Sequence, residues 1–302
     1  MVEDRVQCVG EPSDEQCLAS DGRCSSSLAD VLVLADSRRR EHRWGCRSDD
    51  LQVGEITVMA GDDPFVRHVR GNPVEQERYR SLKVTLHPLR PHFSGKRVLD
   101  FGASYGLSAC ALVELGAASV VGVEPEASRV TRGREIIAAL GLSDRISLQH
   151  AEDTRHLDVP DEAFEAVLAN AVFEHIPQPR RDHVREVWRV LASGGVLIVN
   201  ETPNKYLPWD FHTTSLPFLN WLPKPLARVV AVGTGRFRAD QDWDHSGWRG
   251  LGYYEFVRAI PGPYRMTHEQ TRARHRLFRA LKVPTSLLDP YPTYIVTKLA
   301  FR

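Results

Sequence analysis

Arg97–Gly106 reads "RVLDFGASYG", and the fold turns on this stretch. Val98, Leu99 and Phe101 make a short, nearly unbroken apolar run, as expected of a strand covered on both faces. Gly102 and Gly106 follow, and "LSACALVELG" (Leu107–Gly116) then reads as a helix closed by Gly116. Working outward, "SVVGVEP" (Ser119–Pro125) is the next strand and "EASRVTRGREIIAALG" (Glu126–Gly141) the next helix. "RISLQH" (Arg145–His150) and "FEAVLANAV" (Phe164–Val172) read as two further strands. In "HVREVWRVLASGG" (His183–Gly195), Val184, Val187, Trp188 and Leu191 share one helical face, which Gly194 and Gly195 should end; "VLIVNETP" (Val196–Pro203) is the fifth strand. Strands separated by helices call for a parallel sheet with right-handed crossovers and two covered faces, the doubly wound α/β class.

On the N-terminal side, Val74, Tyr79, Leu82, Val84 and Leu86 alternate with polar residues in Gly71–Leu89 and predict one or two helices before Pro88. Residues 1–60 mix Ser, Asp, Arg and Cys without sustained periodicity and are expected to form a poorly ordered extension. Residues 61–95 are then a helical segment and 96–302 the main domain. From 203 to about 260 the rhythm breaks, with Pro203, Pro208, Pro217, Pro223 and Pro225 set among aromatic residues, so an inserted lid is expected there. "PTYIVTKLA" (Pro292–Ala300) is the last strand expected.

Composition bounds the function classes. In 302 residues, 42% are apolar and 26% charged, which excludes a collagenous or low-complexity chain. Lys plus Arg number 39 and Asp plus Glu 39, so no whole-chain field draws it to phosphate backbones and nucleic acid is disfavoured as a partner. Leu28–Ala35 ("LADVLVLA") is far shorter than the ~20 residues of a bilayer-spanning helix, so no transmembrane segment is expected. The first 17 residues carry acidic groups and no apolar run, which argues against a secretory signal and for a cytoplasmic location. Cys8, Cys17, Cys24, Cys46 and Cys110 form an odd set with no CxxC pair, so free thiols are expected, and no metal site from these with His42.

A buried strand that runs through glycines into a helix lets the polar part of a nucleotide-like ligand approach the backbone. Positions 102, 104 and 107 are Gly, Ser and Leu, so the G-x-G-x-x-G fingerprint of the dehydrogenases is absent. Present instead are Asp100, Gly102 and Gly106, with Glu124 at the end of the second strand, 22 residues after Gly102. A carboxylate there can accept hydrogen bonds from two ribose hydroxyls. The plainer alternative is a glycine-rich turn beside a surface glutamate.

Four blocks in this order, "VLDFGASYG", "VVGVEP", "FEAVLANAVFEHIPQP" and "EVWRVLASGGVLIVNETPN", resemble the class I S-adenosylmethionine-dependent methyltransferases, in the branch of ubiquinone-biosynthesis-like small-molecule enzymes. The likeness spans about Lys96–Asn204. It implies a Rossmann-like sheet, mostly parallel with an antiparallel C-terminal strand, and S-adenosyl-L-methionine as cofactor. Carried over by position, Asp100, Gly102, Ser104 and Gly106 would line the methionine and ribose, and Glu124 would hold the ribose hydroxyls. Glu152 and Asp153 would face the adenine, and Asn170 would lie beside the cofactor. Ser104 replaces the commoner middle glycine, and His150 stands where the family often has an adenine-binding Asp.

On the acceptor side an oxygen nucleophile needs a base, and the candidates are His212, His175, Asp210 and His245. His212 leads because it lies in the lid, where Tyr206, Trp209, Phe211, Phe218 and Trp221 could wall an apolar pocket or simply form the lid's core; Asp210 could orient it. "DQDWDH" (Asp240–His245) is expected to be a solvated acidic loop, and Leu216–Val232 to be buried against the sheet rather than rest on a membrane. The function so implied is methylation of a small or medium-sized metabolite, with oxygen as the favoured acceptor. A non-catalytic cofactor-binding sensor or scaffold, and a methyltransferase of a lipid-linked or macromolecular acceptor, are the alternatives.

Overall fold

The structure, a computed structural model, describes residues 73–267 and 289–300, which fall in one compact unit spanning Met59–Arg302. The expected extension at 1–60, with its four cysteines and His42, lies outside the described residues. Helix α1 (Pro73–Leu86) passes through a 3-10 turn and the single-turn α2 (Arg90–Phe93) into β1 (Arg97–Phe101). There follow α3 (Leu107–Glu114), β2 (Ser119–Glu124), α4 (Ala127–Ala139), β3 (Ile146–His150) and β4 (Phe164–Asn170). Then come α5 (Arg181–Val190), β5 (Leu191–Asn200), α6 (Lys224–Gly233), α7 (Tyr253–Ala259), β6 (Tyr264–Thr267) and β7 (Tyr294–Lys298).

The seven strands form one sheet in the order β3-β2-β1-β4-β5-β7-β6. Its first five strands are parallel, and β7 runs antiparallel to both β5 and β6, so the doubly wound sheet with a reversed C-terminal strand is observed. Alternate residues of each strand feed opposite layers. Val98, Leu168, Ile198 and Ile295 pack with Tyr79 and Leu86 of α1, Leu112 of α3 and Ile136 of α4. Leu99, Val167, Leu197 and Val296 pack with Val187 and Trp188 of α5 and Phe256 of α7. The chain steps outward from β1 to β3 and then returns to β4 beside β1. A crevice at such a switch point opens at the carboxyl ends of the strands.

Three expectations need correction. Helix α5 ends at Val190, short of Gly194, because Leu191 already pairs with Phe164. The carbonyls freed there have their own donors: Lys298 Nζ reaches Trp188 O (3.0 Å) and Leu191 O (2.6 Å), and Glu162 N reaches Arg189 O (3.0 Å). Gly194 and Gly195 instead carry a register slip in β5, between the pairs Phe164–Leu191 and Ala166–Val196. Second, β6 is a strand that the pattern does not reveal, since "YRMT" is four residues long at a sheet edge and has no fully buried position.

Third, Leu216–Val232 does not bury itself against the sheet. It builds α6 and a separate small core of Leu219, Ala227, Ala231 and Trp243, while Phe218 (59%), Trp221 (58%) and Val229 (67%) are exposed. The insertion closes on a stem in which Leu251 N donates to Pro203 O (2.8 Å) and Lys205 N to Leu251 O (3.3 Å). Buried Arg180 fastens this stem to the sheet domain through Ile176 O (2.7 Å), Gly250 O (2.8 Å) and Glu255 (3.1 Å).

Candidate functional site

The loop after β1 is shaped by three left-handed residues: Gly102 (φ +80°), Ser104 (φ +51°) and Gly106 (φ +80°). At Gly102 a side chain is impossible without rearrangement, because a β-carbon would stand 2.7 and 2.8 Å from the Val172 methyls. Ser104 adopts the conformation a glycine would take more cheaply, and its N–H donates to Glu124 Oε2 (3.0 Å). Glu126 N donates to the other oxygen (3.3 Å), and Arg129 stands 3.6 Å away. Glu124 is therefore buried, anchored from one side by two backbone donors, and retains lone pairs for further donors.

Asp100 is buried in the middle of this region, with Ser108 Oγ donating to it at 2.6 Å. Burial pushes its carboxyl up to about 7, the Ser108 hydrogen bond pulls it down, and the Glu124 charge raises it again. At the end of β3, paired with Glu124 in the sheet, His150 has Nε2 on Pro125 O (3.0 Å). Asp153 is gripped by the Arg155 backbone N–H and guanidinium at 2.8 to 2.9 Å, which holds its carboxyl well below the usual range, and Glu152 is exposed. At the end of β4, Asn170 donates to Glu201 (3.2 Å) and accepts from Asn200 (2.8 Å), which accepts in turn from Thr293 (2.8 Å).

Immediately after β4 a 3-10 turn, Phe173–His175, is pinned by Phe173 against Phe101 and Phe256 at ring distances of 6.0 and 6.3 Å. The pin buries the adjacent Glu174, whose Oε2 accepts from Thr202 Oγ1 (3.0 Å) while Oε1 has no hydrogen-bond partner. Burial raises this carboxyl to about 8, against the lowering effects of its own backbone N–H, Thr202 and Arg180. His175 Nδ1 lies 2.8 Å from His245 O. A carbonyl only accepts, so Nδ1 carries the proton and Nε2 of the neutral ring is the bare nitrogen. Desolvation by the surrounding chain holds the His175 pKa down and favours that neutral form.

His212 comes from the insertion and stands edge-to-face against His175, with ring centroids 5.3 Å apart. Gly247 passes over both rings so closely that a β-carbon there would collide with the His212 imidazole. Among the described residues, Glu174, His175 and His212 are brought together so that one ligand-type atom of each lies within 4.8 Å of the others. Glu174 and Gly247 are the members the sequence reading missed. Glu174 was adjacent to a named histidine, but nothing local to "FEHIP" announces that its carboxylate is buried.

Asp210 does not orient the His212 ring. Its carboxylate accepts from the backbone N–H groups of His212 (3.2 Å), Thr213 (3.2 Å) and Thr214 (2.8 Å) and from Thr214 Oγ1 (2.7 Å), the usual way an Asp closes a turn on itself. The aromatics expected to wall a pocket divide differently too. Trp209, Phe218 and Trp221 are exposed, with the last two in tilted contact at a ring distance of 5.7 Å, and none of the five belongs to the insertion's core. In Asp240–His245 the His245 ring pairs with Asp242 (2.6 Å) at the surface, and its backbone carbonyl is the group that reaches the site.

Residues 99–199 match the family model described as a methyltransferase domain. Methyltransferase GfsG of Streptomyces halstedii is 32% identical over 153 residues, covering 50% of each chain. A sterol 24-C-methyltransferase of Yarrowia lipolytica is 30% identical over 142 residues (45% of this chain, 35% of that one). A phosphatidylethanolamine N-methyltransferase of Cereibacter sphaeroides is 37% identical over 107 residues (35% and 51%). The chain spans about half the length, or less, of these curated relatives. Among solved structures, an S-adenosylmethionine-dependent methyltransferase from Mesorhizobium loti aligns with 72% of this chain and 96% of its own at 16% identity and a TM-score of 0.45. The glycine turn, the anchored glutamate and the matched segment all lie on the first five strands, and residues 99–199 are a methyltransferase domain similar to those of S-adenosylmethionine-dependent enzymes.

Proposed function

We propose that the protein is an enzyme that transfers the methyl group of S-adenosylmethionine to an oxygen atom of a small or medium-sized metabolite, in the cytoplasm. The observation that carries this reading is positional. β4 ends at Asn170, and within five residues the chain presents His175 and, beside it, His212 from the insertion. The acceptor groups thus share the carboxyl edge of the sheet with Glu124 and the glycine turn.

In this reading Glu124 holds the ribose hydroxyls, and Asp100, Gly102, Ser104 and Gly106 line the ribose and methionine. Glu152 and Asp153 lie on the adenine side, and Asn170 lies beside the cofactor. His212 and His175 contact the acceptor oxygen, and Asp210 positions the turn that carries His212. An oxygen lone pair attacks the methyl carbon in line with the carbon–sulfur bond, whose electron pair goes to sulfur as S-adenosylhomocysteine leaves, and the hydroxyl proton passes to solvent by way of the histidine pair. The chain's contribution is alignment and exclusion of water. Residues 96–302 supply this machinery, with 203–260 as the inserted lid, 61–95 as a helical lead-in and 1–60 as an extension.

A lipid-linked acceptor is the second reading, favoured by the exposed Phe218, Trp221, Leu226 and Val229 on the insertion. Among the described residues no helix is long and apolar enough to cross a membrane. The test is to incubate the full chain and methyl-labelled cofactor with aqueous and lipid fractions of a cell extract. Label in a small aqueous product, with S-adenosylhomocysteine formed in equal amount, is the expected result. Label in the lipid fraction selects the second reading, and cofactor binding without any labelled product overturns both in favour of a sensor.

A further inference from the structure

We propose that Glu174, His175 and His212 form a binding site for one divalent cation of the zinc, manganese or iron(II) class, open on the acceptor side. Two imidazoles and one carboxylate are donors these ions accept, whereas calcium and magnesium favour all-oxygen shells. Donor atoms on one ion at ~2.1 Å stand roughly 3 to 4 Å apart. The three groups already lie within 4.8 Å of one another, so side-chain rotation closes the set.

Three further observations fit a ligand set better than an incidental cluster. Glu174 is 1% exposed, and its Oε1 has no hydrogen-bond partner, which is costly for a buried carboxyl oxygen unless something else occupies it. The outer contacts are those that orient metal ligands: His175 gives its Nδ1 proton to a backbone carbonyl, leaving Nε2 bare, and Thr202 holds the second oxygen of Glu174. Gly247 lets the chain press on both rings without filling the space between them. Glu174 and His175 sit on a turn pinned by Phe173, while His212 is held by the Asp210 turn.

Three protein donors leave coordination positions for an acceptor oxygen. The substrate class that suits such a centre carries two adjacent oxygens, as in a catechol or an α-hydroxy acid. Coordination lowers the hydroxyl pKa, its proton leaves to solvent, and the metal-held oxygen attacks the methyl carbon. This role rests on the proposed function; the ion site itself does not.

The test uses the full chain, stripped of metal and titrated with Mn2+ by calorimetry and with Co2+ by absorption. One equivalent of Mn2+ should bind, and Co2+ should give ligand-field bands without the thiolate charge-transfer band that cysteine ligands produce. His212→Ala and Glu174→Gln should each weaken Mn2+ at least a hundredfold while S-adenosylmethionine still binds, which certifies the fold. No Mn2+ binding by the wild type, or equal binding by wild type and His212→Ala, overturns the proposal and leaves Glu174 as the buried acceptor of the Thr202 hydroxyl. The two readings fail separately. Metal bound with no methyl transfer sinks the transferase alone, and full transfer by a chain that binds no metal sinks the ion site alone.

Discussion

Asp100→Asn replaces a buried acid with an uncharged group of the same shape, and the structure fixes how its effect should change with pH. The carboxyl is lifted from 3.8 to about 7 chiefly by burial. The native state therefore binds the proton more tightly than the unfolded chain, and Asp100 costs nothing below about pH 4. Its cost grows as pH rises and is complete above about 7. At 1.36 kcal/mol per unit, ionising it costs about 4 kcal/mol over the whole window and roughly 2 to 3 kcal/mol between pH 5 and pH 8. Asparagine does not titrate, and its Oδ1 can still accept the Ser108 hydroxyl that Asp100 accepts at 2.6 Å. Urea unfolding of both proteins at pH 5 and pH 8 measures the difference, with every other titrating group cancelling between them. The variant should gain roughly 2 to 3 kcal/mol on the wild type between the two pH values. Parallel stability profiles would show that Asp100 is not desolvated as described.

Glu124→Ala should weaken S-adenosylmethionine binding by about 1.5 to 3 kcal/mol, roughly 10- to 150-fold, since it deletes the anchored acceptor; an unchanged Kd in calorimetry removes Glu124 from the site. Lys298→Met strips the donor from the buried carbonyls of Trp188 and Leu191 and should lower stability by about 1 to 3 kcal/mol, seen as a reduced Tm. An unchanged Tm would mean that those carbonyls find another donor.

What the sequence disclosed follows from the range of the interactions involved. β1, β2, β4 and β5 were legible because strands buried on both faces must be apolar, and the glycine turn because a left-handed backbone selects glycine at 102 and 106. The edge strand β6 was hidden by its mixed composition. The end of α5 was misplaced because pairing of Leu191 with Phe164, a tertiary contact, overrides the helical periodicity that includes Leu191. On the acceptor side His175 and His212 were nameable as residue types, but their meeting at 5.3 Å depends on a turn, a stem and a glycine contact. The burial of Glu174 likewise depends on Phe173 meeting Phe101 and Phe256, 72 residues before it and 83 after it.



The stem at Pro203, Lys205 and Leu251 has a consequence for how this chain can diversify. Because the two ends of the insertion are hydrogen-bonded to each other, the entropy of closing that loop is met at its base, and further changes in its length cost little, about 0.6 kcal/mol per doubling. The insertion also keeps its own apolar nucleus around Ala227 and Trp243, so its sequence can drift without disturbing the strand residues that pack the sheet. One of the paired histidines follows β4 on the sheet side of the stem, and the other belongs to the insertion. Exchanging everything between the stem residues for a foreign segment therefore replaces the residues that face His175 while leaving the glycine turn and Glu124 as they stand. The stem residues themselves are the natural crossover points for building such chimaeras.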